Sequence, residues 1–199
     1  GYNEMLSKGQ MSDLVDRTRA FSRVSSEIER MESLIHDLLL LAELGESKPV
    51  NFAEVDFDEL VKAHLNDFQV LNTSRTVTTA IPDDCFVQGS RDHLSRLIQN
   101  CLSNILRHTP SDAPVSVSLR NVGKRAELRI EDGGPGLPDS AYGSEIKFMN
   151  RFDPSRSRES GGSGLGLSII AAIVQEHNGE LELSKSELGG LAVTVRIPI

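Results

Sequence analysis

The chain has 199 residues, with 21 Lys and Arg against 29 Asp and Glu and a formal net charge of −8. Its 38% hydrophobic and 25% charged residues are those of an ordinary globular protein of one domain with an appendage, or two small domains. A negative surface disfavours nucleic acid as the main partner, and no apolar run, residues 38–42 included, approaches the roughly 20 residues of a membrane span. Cys85 and Cys101 form neither a metal-ligand spacing nor a disulfide framework, which suggests a reducing compartment. Residue 1 is Gly and no signal peptide follows, so the chain reads as a fragment of a longer one.

In the first 45 residues, Leu14, Phe21, Ile28, Ile35 and Ala42 recur every seven positions, with Val24, Met31 and Leu38 interleaved. That heptad seam predicts one long helix in need of a partner helix, ended by Gly45 and Pro49. Residues 1–8, with Tyr2, Met5 and Leu6, read as the tail of another helix and residues 9–13 as the turn of a helical hairpin. A polar linker is expected over residues 46–55. Asp56 followed by Glu59 resembles a capping box, and Leu60, Val61, Leu65 and Phe68 then mark a helical face. Residues 77–81 and 86–88 read as short strands.

Leu94, Leu97, Ile98, Cys101, Leu102 and Ile105 predict a helix over residues 92–108. Val115, Val117 and Leu119 alternate with serines, as Leu128 and Ile130 do with charges, and Gly123 between them predicts a hairpin. Ile169, Ile170, Ile173 and Val174 define a further helix ending near Gly179. Residues 181–183 and 191–197 alternate again across Gly189-Gly190. Hairpin strands separated by helices predict an α+β fold: a two-layer α/β sandwich with a mixed, largely antiparallel sheet and helices on one face, preceded by a long helical segment.

Four elements depart from what a core requires. Asn100 and Asn104 stand one turn apart on the helix over residues 92–108, and Arg107 and His108 continue their face. Asn is a poor interior helix former, so the pair is either solvated or employed; an amide oxygen can ligate Mg²⁺, Arg107 can meet phosphate and His108 can pack on a purine. The string from Asp132 to Pro138 follows a predicted strand, with Gly134 and Gly136 letting a planar ligand approach the backbone. A carboxylate at that strand end can accept from an exocyclic amine such as that of adenine, although the string also fits an ordinary turn. Gly161-Gly162-Ser163-Gly164-Leu165-Gly166-Leu167 leads into a helix, whose free N–H groups suit a phosphate. It lacks the context of a dinucleotide fingerprint and the Lys of a Walker loop. Between the two glycine strings, residues 153–160 with Arg156 and Arg158 have the composition of a lid closing over phosphates, or of a surface loop.

In this order the four resemble the motifs of the sensor histidine kinases, whose Bergerat-type ATP-binding domain is shared with gyrase and the mismatch-repair ATPases. Asn100-x-x-x-Asn104-x-x-Arg107-His108-Thr109 is similar to the N box, and Asp132-x-Gly134-x-Gly136 to the first G box. Phe148-x-x-Arg151-Phe152 resembles the F box, and Gly162-x-Gly164-Leu165-Gly166-Leu167 the second G box. Residues 31–43 are similar to the second helix of the dimerisation and phosphotransfer hairpin, and residues 1–6 to the end of its first. The resemblance implies a partial hairpin over residues 1–47 and a catalytic, ATP-binding domain over residues 48–199. Mg-ATP is the ligand it implies, with Asn104 on the metal, Asn100 supporting the phosphates, and Asp132 on the adenine amine. Gly134, Gly136, Gly162, Gly164, Leu165 and Gly166 would form the binding loops. Arg107 takes the place usually held by Lys, and His108 that of the common aromatic.

The implied reaction passes the γ-phosphoryl of ATP to a histidine and then to a response regulator. Homodimerisation would run through the hairpin of the full-length protein, and membrane attachment only through segments before Gly1. The family's acceptor, a His followed by an acid, Leu, Arg, Thr and Pro, is absent; His36-Asp37-Leu38 imitates its opening, but Leu39-Leu40-Leu41 follows. No catalytic residue is therefore assigned, and the fragment is not expected to phosphorylate itself. Two alternatives share the ATPase fold: a nucleotide-binding regulatory module, and a serine kinase of the anti-sigma type, which lacks the long heptad helix.

Overall fold

The computed structural model describes residues 14–45, 52–139, 142 and 165–199. The chain divides into two compact units, Gly1–Leu40 and Leu41–Ile199. Helix α1 (Leu14–Gly45) runs unbroken for 32 residues, as the heptad pattern requires. Phe21, Ile28, Met31, Ile35 and Leu38 of the seam are each more than half exposed. The helical tail and turn expected over residues 1–13 lie outside the described residues.

The second unit continues with β1 (Ala53–Asp56), α2 (Phe57–Leu71), β2 (Val77–Ala80), β3 (Phe86–Gly89) and α3 (Arg91–His108). It closes with β4 (Val115–Val122), β5 (Arg125–Asp132), α4 (Gly166–Glu176), β6 (Glu180–Lys185) and β7 (Leu191–Pro198). Strand β1 corrects the linker expected over residues 46–55: Ala53–Asp56 pair antiparallel with β3, Val55 opposite Val87. Only Val55 of the four is buried, so no apolar alternation marks the strand in the sequence. Local signals set the helix starts. Asp56 Oδ1 accepts from the Glu59 N–H at 3.0 Å and begins α2. Ser90 Oγ accepts from the His93 N–H at 3.4 Å and begins α3 one residue earlier than the apolar stripe predicts.

Five strands form one mixed sheet in the order β2-β4-β5-β7-β6. The β2–β4 pair is parallel and the others antiparallel. Positive φ at Gly123 (63°) and Gly189 (104°) closes the β4–β5 and β6–β7 turns, a conformation glycine adopts without a Cβ penalty. The register places Leu119, Leu128 and Val195 side by side, and Val117, Ile130 and Val193 in the next row. The core joins these rows to the buried stripes of α3 (Leu94, Leu97, Ile98, Cys101, Leu102, Ile105) and α4 (Ile169, Ile170, Ile173, Val174). Each such side chain stabilises the fold by about 1.5–3 kcal/mol. Cys85 and Cys101 are free and buried, and desolvation pushes their thiols up to about 11 and about 12, so they remain protonated.

One row of alternate positions carries facing opposite charges. Glu127 stands opposite Arg120 on β4 and Arg196 on β7 and bonds both at 2.6 Å. Burial alone would raise the Glu127 carboxyl, but the Arg196 and Arg120 guanidiniums outweigh it and hold the group below the usual range.

Buried His177, just past α4, ties that helix to α3. Its Nδ1 lies 2.7 Å from the Ile173 carbonyl, and its Nε2 lies 3.1 Å from the Ser90 N–H. A carbonyl can only accept and an amide N–H only donate, so the ring is the Nδ1–H tautomer. Phe52 stacks on the ring at 4.7 Å, and a Cβ on Gly89 would stand 2.7 Å from it. Desolvation lowers the His177 pKa, partly opposed by the Ile173 carbonyl and Glu176.

The unfolded chain therefore binds a proton at His177 that the folded chain refuses. The stability present above the unfolded value is lost as pH falls below about 6.5 toward the depressed folded value. The urea midpoint should drop between about pH 7 and about pH 5, and drop less in His177→Gln, which cannot titrate. Equal pH slopes in the two proteins would refute this assignment.

Candidate functional site

Two clusters form around α3. In the first, half-buried Asn100 and Asn104 meet the start of α4. Asn100 Nδ2 donates to the Arg96 carbonyl one turn back, at 2.9 Å, which leaves its Oδ1 facing away from the helix backbone. A Cβ on Gly166, the first residue of α4, would stand 3.0 Å from Asn104 Oδ1 and 3.2 Å from Asn100 Oδ1. Two amide oxygens thus converge where a glycine leaves room. Leu165 caps α4 with no side-chain hydrogen bond and no acid follows in the first turn, so neither satisfies that turn's N–H donors. Arg107 and His108 are exposed in the last turn of α3, where positive charge also suits the helix dipole.

The second cluster centres on Asp132, the last residue of β5, buried to 7% exposure. Its Oδ1 accepts from the Gly134 N–H at 2.8 Å and the Leu191 N–H at 3.2 Å, while its own carbonyl accepts from the Gly190 N–H at 3.0 Å. Both of these bonds to the carboxylate fall on one oxygen. A Cβ on Gly190 would stand 2.1 Å from that oxygen, so only glycine fits beside it. A Cβ on Gly134 would strike the Thr109 methyl at 2.5 Å, so the glycine turn rests directly on the residue that follows α3. Gly136 takes φ +67°, and Tyr142 lies over it with its hydroxyl accepting from the Leu137 N–H at 2.7 Å. The Lys185–Asp139 ion pair, at 2.8 Å, fastens the same loop to β6.

The structure therefore brings Asn100, Asn104 and Gly166 together, and Asp132, Gly134 and Gly136 together, with Arg107 and His108 near the end of the helix that spans both. Gly162, Gly164, the Phe148-x-x-Arg151-Phe152 motif and the lid expected over residues 153–160 lie outside the described residues. Two participants carry no sequence signal. Tyr142 belongs to no motif, and Arg75, just before β2, reaches the turn after α3 with its guanidinium Nη1 2.8 Å from Thr109 Oγ1. The described residues hold no group of three or more metal-ligating side chains of the His, Cys, Asp or Glu type. Among them no helix is long and apolar enough to cross a membrane.

Residues 89–199, more than half the chain, match the family model described as histidine kinase-, DNA gyrase B-, and HSP90-like ATPase. The probable sensor histidine kinase TcrY of Mycobacterium tuberculosis (strain ATCC 25618 / H37Rv) is 33% identical over 100% of this chain and 42% of its own length. The signal transduction histidine-protein kinase BaeS of Escherichia coli (strain K12) is 32% identical over 96% of this chain and 43% of its own. The chain thus spans less than half the length of these two relatives. Among solved structures, the mycobacterial sensor histidine kinase MprB superposes with a TM-score of 0.63 at 27% identity, covering 74% of this chain and 97% of that one. The Acinetobacter baumannii histidine kinase AdeS shares the fold over 100% of this chain and 91% of its own, with a TM-score of 0.72 at 20% identity. The chain belongs to the histidine kinase-, DNA gyrase B- and HSP90-like ATPase family, and its ATPase domain is of the sensor histidine kinase type.

Proposed function

We propose that this chain is the ATP-binding catalytic part of a two-component sensor histidine kinase, with residues 1–47 part of the dimerisation and phosphotransfer hairpin and residues 48–199 the catalytic domain. The observation that carries the reading is the convergence of two amide oxygens on a helix start that Leu165 does not cap with its side chain, the two asparagines lying on the same helix whose end supports a buried strand-end carboxylate. The first cluster has the chemistry of a phosphate and Mg²⁺ site, the second that of an adenine site.

Asn104 would hold Mg²⁺ through its amide oxygen, a hard donor suited to an ion that keeps several waters. A bound Mg²⁺ would neutralise phosphate charge. Asn100, Arg107 and the open turn at Gly166 would hold the phosphates, joined by Gly162 and Gly164, and His108 would lie against the nucleotide. Asp132, with Oδ1 taken by the backbone, would read the adenine amine through its other oxygen, and Gly134 and Gly136 would admit the ring. The γ-phosphorus–oxygen bond breaks as a phosphorus–nitrogen bond forms to an imidazole, ADP departs, and an aspartate of a response regulator receives the group in turn. Catalysis of this kind is mainly positioning and charge neutralisation. The apolar seam of α1, exposed among the described residues, supports a homodimer through the hairpin in the full-length protein. That protein would work with a response regulator on the cytoplasmic side, anchored through segments before Gly1.

Two outcomes test the reading. Asn104→Ala should weaken Mg-ATP binding by about tenfold or more while the melting temperature holds, because the half-buried side chain lies off the apolar stripe. Gly166→Ala, which crowds both amide oxygens, should do the same. Calorimetry showing unchanged affinity in both variants would remove this cluster from the site.

With labelled ATP, this 199-residue chain should take up no acid-labile label. His64 is bonded to Ser95, His93 to Glu176 and His177 to the backbone, and exposed His36 and His108 lack the family's acceptor motif. A separate hairpin bearing that motif should be labelled in trans. Label lost in His36→Gln would make His36 the acceptor, and acid-stable label on Ser or Thr would favour the anti-sigma type.

A further inference from the structure

Arg75 stands outside every motif, yet its guanidinium is buried, with the residue 8% exposed. Its Nη1 donates to Thr109 Oγ1 at 2.8 Å and to the Ala113 carbonyl at 3.3 Å, and its Nη2 reaches the Thr109 carbonyl at 3.5 Å. These acceptors are neutral oxygens, and no carboxylate pairs with Arg75 among the described residues. Burying a cation against neutral groups is costly, so the arrangement is not what stability alone would favour. Thr109 Oγ1 gives its own proton to the Ile105 carbonyl at 2.8 Å, which fixes it as acceptor toward Arg75.

The far side of Thr109 meets the glycine turn. Its methyl occupies the space beside Gly134 where a Cβ would come within 2.5 Å, and the Gly134 N–H holds Asp132 Oδ1 at 2.8 Å. Gly133 is fastened to the same loop by its N–H to the Pro114 carbonyl at 2.9 Å. The chain of contacts therefore runs from Arg75 through Thr109 and Gly134 to the Asp132 carboxylate.

We propose that Arg75 is a positioning residue for the adenine end of the site: through Thr109 it fixes Gly134 and the Asp132 carboxylate, and so sets the preference for adenine over guanine nucleotides. The proposal rests on the reading of Asp132 as the adenine-binding residue. Arg75 touches no nucleotide itself. Its fork spans acceptors of two separate residues, Thr109 and Ala113, which a lysine ammonium cannot reproduce in the same geometry.

The test is the ratio of ATP to GTP affinity, measured calorimetrically with Mg²⁺ on the full chain, beside the melting temperature. Arg75→Met and Thr109→Val should each lower the ratio about fivefold or more, Arg75→Lys should recover only part of it, and the double variant should lose no more than either single one. Thr109→Val keeps the shape against Gly134 and removes only the hydroxyl, which accepts from Arg75 and donates to the Ile105 carbonyl, so it decides the question if Arg75→Met fails to fold. An unchanged ratio in folded Thr109→Val, with a lowered melting temperature, would make Arg75 merely structural and overturn the proposal. Asp132→Ala separates the two levels. A ratio abolished there and intact in Thr109→Val overturns the positioning role alone, whereas a ratio untouched by Asp132→Ala overturns the adenine reading and the proposal with it.

Discussion

One carboxylate oxygen joins the middle of the sheet to the site. Asp132 Oδ1 receives the Gly134 and Leu191 N–H groups, and the adjacent carbonyl receives that of Gly190, so the end of β5, the turn after it and the beginning of β7 share one anchor. A buried carboxylate is costly unless hydrogen-bonded, and here the bonds that satisfy it also dictate the path of the glycine turn. The neighbours accept this only because they lack side chains. At Gly190 a Cβ would fall 2.1 Å from the oxygen, and at Gly134 3.0 Å from it. The glycines are a condition of the anchor before they are an accommodation for any ligand.

The two halves of the site depend on α3 in different ways. Its middle presents Asn100 and Asn104 to the start of α4, and its end leads through Thr109 onto the glycine turn. Asn104 and Thr109 are five residues apart, about 7.5 Å along a helix axis, so a rigid helical segment separates the two clusters. At the opposite end of α3, the His177 bonds and the 2.6 Å His93–Glu176 contact fix where α4 lies against it. The glycine at one end of α4 and the histidine past the other thus determine together how closely the asparagines approach the helix start.

Much of this was legible in the residues because the signals are local. The capping residue Asp56, the apolar stripe of α3, the Gly123 hairpin and the Asn100–Asn104 spacing each follow from periodicity or from a side chain bonding its own turn. What the sequence concealed lies across space. Strand β1 has a single buried residue, and its partner strand begins 30 positions after its own last residue, from Asp56 to Phe86. Arg75 lies 34 positions from Thr109, and no pattern around it distinguishes a buried tie from a solvated arginine. Tyr142 is an isolated aromatic whose hydroxyl matters only because the Leu137 N–H faces it. The exposed seam of α1 is the converse case, in which the sequence states a need for a partner that this chain's described residues do not meet.

The electrostatics separate scaffold from site. On the sheet, charges are paired across and along strands: Glu127 lies between Arg120 and Arg196, and Arg129 meets Glu131 of the same strand at 2.9 Å. These pairs neutralise one another and leave little field to attract a ligand. Around α3 the pattern differs. The asparagines are neutral, α4 begins with no side-chain cap from Leu165 and no acid in its first turn, and Arg107 and His108 stand exposed where α3 ends. In a chain of net charge −8, a polyphosphate is repelled at long range, and short-range donors must hold it. A divalent cation bound with a nucleotide would remove part of that repulsion before contact, which accords with the metal–nucleotide complex proposed for the amide-lined cluster.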